Sequence, residues 1–162
     1  MPPKNFVDRT LSQRLERAEA AANARFVESR AALMPDVGAS WIEVAGAHVF
    51  YDGPRSPITQ TFGIGLFVTP SAADLGAIEA FFTSRAAPTF HEVSPLSDKS
   101  LLGLLTSRGY RPVELTSVMF LPLASYAMPE TAGGPVRVRR VGLEESDLWV
   151  QTAVEGWSET AD

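Results

Sequence analysis

Between residues 90 and 122 the spacing of apolar positions changes period twice, and the changes predict a strand, a helix, a tight turn and a second strand. Residues 90–93 are β-prone, after which Ser97 and Asp98 offer side-chain oxygens to the free N–H groups of a helix lined by Leu101, Leu102, Leu104 and Leu105. Gly109 suits a left-handed helix end, and Pro112 cannot continue a helix, so Tyr110 opens an extended run. In that run Val113, Leu115, Met119 and Leu121 share one face, and Glu114, Thr116, Val118 and Phe120 share the other. Apolar residues on both faces predict a central strand covered on both sides.

Towards the N-terminus the period is helical. Thr10 and Gln13 form a possible capping box, and Leu11, Leu15, Ala18, Ala22 and Phe26 then mark one stripe of a helix over 10–33. Arg14, Glu16, Arg17 and Glu19 fall on its wet face, whose mixed sign favours packing on the protein's own sheet over a membrane surface. Residues 34–39 break the helix, and residues 41–45 and 48–51 read as strands turning at Gly46. Over 58–68 an extended run sets Ile58, Gln60, Phe62, Ile64, Leu66 and Val68 against Thr59, Thr61, Gly63, Gly65 and Phe67. Two glycines on one face leave a smooth patch, for a bulge or packed helix on one reading and for a substrate groove formed with Thr59 and Thr61 on the other. A helix over 72–85 buries Leu75, Ile78, Phe81 and Phe82. Residues 125–135 are linker-like, and 136–141 read as a strand leading into a helix with Glu144, Glu145 and Asp147 at its start and Leu148, Ala153, Val154 and Trp157 along it.

Composition narrows the class. The 162 residues are 45% hydrophobic and 20% charged, which describes a globular chain with a real core. A net charge of −5 argues against nucleic-acid binding, which needs a basic surface. With no cysteine there is neither disulfide nor thiolate chemistry, which fits a reducing compartment. No apolar run approaches the ~20 residues of a membrane span and the N-terminus has no apolar signal core, so the expected location is cytoplasmic, with no membrane partner.

The run of a leucine-rich helix, Arg108-Gly109-Tyr110 and a long strand resembles the end of a GNAT (Gcn5-related) N-acetyltransferase domain. The wider segments SPITQTFGIGLF (56–67), IEAFFTSRAAPTFHEVSPL (78–96) and RGYRPVELTSVMF (108–120) are similar to a bacterial group in which such a half domain precedes a second, fuller GNAT domain. The resemblance implies an α/β (α+β) fold with a mixed central sheet flanked by helices and preceded by the long N-terminal helix. It implies a first domain over 1–124, with its sheet and helices in 40–123, a linker at 125–135, and the first strand and helix of a second domain over 136–162. VRVRRVGLEESDLW (136–149) resembles that second start. The activity implied is acetyl transfer from acetyl-CoA to a small amine.

Two features of the family pattern differ here. Acetyl-CoA-binding members carry a glycine-rich loop where the fourth strand meets a helix, and its bare N–H groups hold the pyrophosphate. This chain reads Val68-Thr69-Pro70-Ser71-Ala72-Ala73-Asp74: Pro70 has no N–H, Ser71 is suited to cap the helix, and Asp74 brings negative charge. Gly133-Gly134 precedes Pro135 and a strand, so it offers no substitute. Many members also carry an acidic tyrosine four residues before the glycine of the closing turn, where this chain has Leu105. No cofactor-binding residue is therefore assigned, and acetyl-CoA is expected on a further C-terminal GNAT domain. The candidate catalytic residues are Glu92, as amine anchor or general base against a merely salt-bridged glutamate, and Tyr110, as acid against a packing anchor. His91 and Glu92 are adjacent, so they point to opposite faces of a strand and form no acid–base pair. His48 reads as a half-exposed strand residue. A noncatalytic module, dimerising or binding a small ligand at the Gly63/Gly65 patch, is the competing class.

Overall fold

The computed structural model describes residues 7–123 and 137–158. By internal contacts the chain divides into two units, Met1–Glu114 and Leu115–Asp162. The first holds α1 (Arg9–Leu33), a three-stranded antiparallel sheet in the order β1 (Ser40–Val44), β2 (Ala47–Tyr51), β3 (Thr61–Phe62), then α2 (Ala72–Thr83) and α3 (Ser100–Ser107). It is a mixed α and β architecture.

Alternation along β2 explains its layers. Ala47, Val49 and Tyr51 pack with Ile64, Leu75, Ile78, Phe81, Phe82, Leu101 and Leu105 on the α2/α3 side, whereas Phe50 joins Phe62, Ala20 and Val27 on the α1 side. The four residues expected to bury α2 are all buried. α1 is rotated from its expected seat. Its buried positions are Ser12, Ala20 and Val27, while Phe26 is half exposed, so the helix lays its small residues on the sheet. Alanine allows a close helix–sheet approach that the larger Leu11, Leu15 and Phe26 stripe would hold apart. The N-cap is Asp8, which accepts from Leu11 N at 2.8 Å, and not Thr10; Gln13 instead donates to Leu66 O at 2.9 Å.

The extended run expected over 58–68 is mostly a turn. Only Thr61–Phe62 is strand, because Gly63 and Gly65 take left-handed φ values of 74° and 72° and Leu66 N closes back on Gly63 O at 3.1 Å. The reversal breaks side-chain parity, so Phe62 and Ile64 enter different cores. Arg9 and Gln13 of α1 both donate to Leu66 O and hold the turn down.

β1 and β2 join through Ala45-Gly46, with φ values of 50° and 75°, as a two-residue loop between the paired Val44 and Ala47. An alanine in this region is strained by about 1 kcal/mol. Ala45→Gly is therefore expected to stabilise the protein by about 0.5 kcal/mol, read as a higher urea midpoint at unchanged slope.

α3 begins at Ser100, later than expected, with Asp98 accepting from Ser100 N at 2.9 Å. Of its leucines, Leu101 and Leu105 are buried and Leu102 faces solvent. Gly109 ends the turn at φ 85° as expected, and Tyr110 N reaches Leu105 O at 3.1 Å.

The strand expected from Tyr110 onward is not formed: residues 110–122 carry no strand, and Leu115 and Met119 are more than 90% exposed. Nothing among the described residues supplies the paired edge that a covered central strand requires. In the second unit residues 137–141 likewise form no strand; a 3-10 turn Leu143–Glu145 leads into α4 (Ser146–Ser158), where Leu148 and Val154 are exposed. The linker-like 125–135, Gly133-Gly134 and Val136 lie outside the described residues.

Candidate functional site

After α2 the chain returns beside β3. Thr61 N donates to Phe90 O at 3.0 Å and Glu92 N to Thr61 O at 2.8 Å, a parallel bridge between Thr61 and His91. Thr61 pairs with Val49, which belongs to the α2/α3 core, so His91 is set to that same side. There its ring meets Tyr110 edge-on, with centroids 4.8 Å apart, and burial pushes its pKa down to about 4. Neither ring nitrogen has a partner among the described residues.

Glu92 consequently turns to the α1 side, where it meets carboxylates. Its pKa is raised by burial, then by Glu19 and Glu114. The strongest perturbation falls on Glu16, which burial, Glu92 and Glu19 together push up to about 7 against the opposing pull of the Gly63 N–H. Its Oε2 is buried without a hydrogen-bond partner. No lysine or arginine among the described residues forms an ion pair with Glu16, Glu19, Glu92 or Glu114. A carboxyl titrating near neutrality can take a proton from an ammonium group or hold a cationic one.

The sequence reading placed Glu16 on the wet face of α1. The signal it missed is positional: Glu16 lies four residues from both Ser12 and Ala20, so it shares their buried stripe.

The remaining candidates are occupied by structure. Thr59 Oγ1 accepts from Asp52 N at 2.9 Å and donates to Gly53 O at 2.6 Å, closing the loop after β2. Thr61 is fully buried. The Gly63/Gly65 patch is not open: a Cβ at Gly63 would lie 2.8 Å from the Phe67 ring, and one at Gly65 2.8 Å from Leu101 Cδ2. At each glycine the space a Cβ would need is taken by a protein side chain. Tyr110 donates to Glu79 Oε1 at 3.2 Å, and Arg108 pairs with the same carboxylate. Burial and Glu79 raise the phenol's pKa, so it is poorly set to release a proton.

The turn into α2 is self-capped. Ser71 N donates to Asp74 Oδ2 at 2.8 Å and Asp74 N to Ser71 Oγ at 3.2 Å, a capping box that engages two N–H groups at the helix start. These hydrogen bonds lower the Asp74 pKa and keep it anionic at neutral pH.

An open cleft of about 610 Å³ lies between α1 and the β1–β2 hairpin, with Ala20 and Ala24 on one wall and Trp41, His48 and Phe67 on the other. Trp41 stacks on His48 at 5.8 Å, and the Arg17 guanidinium sits 4.6 Å from the Phe67 centroid. His48 is half-buried, as its strand position implies. Among the described residues no group of three His, Asp or Glu side chains is placed to hold a metal ion, and no helix is long and apolar enough to cross a membrane. No protein-family model, curated protein or solved structure matches this chain.

Proposed function

We propose that this chain is the leading, GNAT-like part of a tandem N-acetyltransferase of the cytoplasm, contributing part of an amine-binding wall while acetyl-CoA is held by a further C-terminal GNAT domain. The observation that carries the reading is the parallel bridge of His91 to Thr61 directly after α2. It sets one residue of the returning chain parallel to the edge of the antiparallel sheet, and it is followed in order by the leucine helix and the Arg108-Gly109-Tyr110 turn, an order that supports the reading. In this scheme Glu92, backed by Glu16, holds the acceptor's ammonium group or takes its proton before the free amine attacks the thioester.

The self-capped turn at Ser71 and Asp74 supports placing the cofactor elsewhere. An incoming pyrophosphate would have to displace the Asp74 carboxylate from Ser71 N–H and the Ser71 hydroxyl from Asp74 N–H. Leu105, which points into the core where the family has its tyrosine acid, supports the same division. These two features also favour a second reading, a noncatalytic GNAT-like module.

Acetyl-CoA titrated calorimetrically into the purified chain is expected to give no saturable heat up to millimolar concentration. A dissociation constant tighter than about 1 mM, roughly −4 kcal/mol, would overturn the assignment of the cofactor to another domain. The amine half is read separately with 1,4-diaminobutane. Saturable amide shifts at Gly63 and Glu92 that vanish in Glu92→Gln are expected, and their absence would leave only the noncatalytic reading.

A further inference from the structure

We propose that the cleft between α1 and the β1–β2 hairpin binds a free α-amino acid with a flat aromatic side chain, held as its zwitterion. The site is distinct from the amine wall of Glu92 and Glu16 and does not rest on the acetyl-transfer reading.

Alternation along the hairpin builds one wall. Trp41 and Glu43 alternate with Ile42 and Val44 on β1, and they pair with Phe50 and His48 on β2, so Trp41, Glu43, His48 and Phe50 share the face towards α1. The helix covers Phe50 through Ala20 and Val27. Towards the hairpin turn it offers only the methyl groups of Ala20, Ala21 and Ala24, and the space beside them is the cleft of about 610 Å³, a size that takes a small organic ligand.

The rings on the opposite wall are held in place by the protein itself. The Trp41 indole donates to Glu28 Oε1 at 3.0 Å and lies 29° from parallel to the His48 ring. Phe67 is seated over two glycines: a Cβ at Gly46 or at Gly63 would come within 2.8 Å of its side chain. Fixed ring faces opposite a strip of methyl groups suit a flat ring lying between them, and little ordering is left to oppose binding.

Charge selects the rest of the ligand. Arg17, on the helix wall, sits over the Phe67 ring, and Glu43 lies on the strand wall. Neither forms an ion pair with the other or with any other described residue. A guanidinium stacked on a ring keeps its N–H groups free in its own plane for the two oxygens of a carboxylate. An ammonium group answers Glu43. A ligand with a carboxylate or phosphate alone would set like charge against Glu43, and an amine alone would meet Arg17. Inside a peptide both charges of a residue are lost to amide bonds, so the free amino acid is the form that satisfies the pair.

The probes are L-tryptophan, tryptamine, which lacks the carboxylate, and indole-3-propionate, which lacks the ammonium group. Each is titrated into the isotope-labelled chain and followed by NMR at the Trp41 indole N–H and the Gly46 amide. L-tryptophan is expected to shift both saturably with a dissociation constant below about 1 mM, and the other two to bind about tenfold more weakly. Arg17→Gln is expected to weaken L-tryptophan about tenfold and leave tryptamine no weaker, and Glu43→Gln to weaken L-tryptophan alike and leave indole-3-propionate no weaker. Ala21→Leu changes an exposed position on the helix wall, so it is expected to fill the cleft and abolish the shifts at an unchanged melting temperature. No saturable shift up to about 10 mM, equal affinity for the three probes, or L-tryptophan binding that survives Ala21→Leu would each overturn the proposal.

Discussion

Gly65→Ala is expected to destabilise the protein by about 2–4 kcal/mol. Gly65 sits at φ 72°, where an alanine is strained by about 1 kcal/mol. The added methyl would also lie 2.8 Å from Leu101 Cδ2 and 3.4 Å from Ser97 Cβ, and Leu101 is itself fully buried. Overpacking of this kind costs about 1–3 kcal/mol more. The backbone has little room to yield, since Gly65 O accepts from Asp98 N at 2.8 Å and Ile64 O from the Ser97 hydroxyl at 2.8 Å. Urea denaturation reads the loss. The double variant Gly65→Ala/Leu101→Ala should cost less than the two single changes added together, because the cavity left by one accepts the methyl of the other. A cost below about 0.5 kcal/mol for Gly65→Ala would mean that the turn is open at this point, as the alternative ligand-groove reading requires.

The same turn shows where the sequence could be read and where it could not. α2 was legible because its four large apolar residues fall at helical spacing, and nothing else in the window competes for the buried face. Residues 58–68 were not. The alternating pattern counts alternate residues as sharing a face, but two left-handed glycines reverse the chain inside the pattern, and parity then carries no information about sides. In α1 the error came from ranking residues by size. Leu11, Leu15 and Phe26 make the more apolar stripe, yet the helix is seated by Ala20 and Val27, because small residues let it approach the sheet closely. That rotation brings Glu16 towards Gly63 and makes it part of the candidate site. For Glu92, adjacency to His91 is enough to place the two on opposite faces; its raised pKa comes from burial and then from Glu19 and Glu114, and Glu19 lies on α1 more than seventy residues away in sequence. The segment 113–121, which forms no strand, is a different case. Its pattern is that of a buried strand, and burial needs a partner that a reading of one chain in isolation does not supply.

Glu16 and His91 are expected to impose opposite pH dependences on stability, and single substitutions should separate them. His91 has an ordinary pKa of 6.5 that burial lowers to about 4 in the folded chain. The unfolded chain therefore binds the extra proton between these values, so stability is complete above pH 6.5 and falls by about 3 kcal/mol as the pH drops through 4. Glu16 runs the other way. Its pKa rises from 4.5 to about 7, so the folded chain is the one that binds the extra proton. Its contribution is complete below pH 4.5 and is lost as the pH climbs through 7; because the side chain is partly solvated, the loss is discounted to about 1–2 kcal/mol. Between pH 4.5 and 6.5 the two slopes oppose each other, and the unmodified protein should show a shallow profile there. Glu16→Gln removes the acid-side gain and should leave stability rising steeply with pH across that window, with a net stabilisation of about 1–2 kcal/mol at pH 8. His91→Phe keeps the ring packed against Tyr110 while removing the titration, and should leave stability falling with pH over the same window. Melting temperatures of the three proteins measured from pH 4 to 8 check this directly. Parallel profiles for Glu16→Gln and the unmodified chain would show that Glu16 is solvated like an ordinary surface carboxylate. In that event it could not back Glu92 in holding a proton, and the amine-binding wall would rest on Glu92 alone.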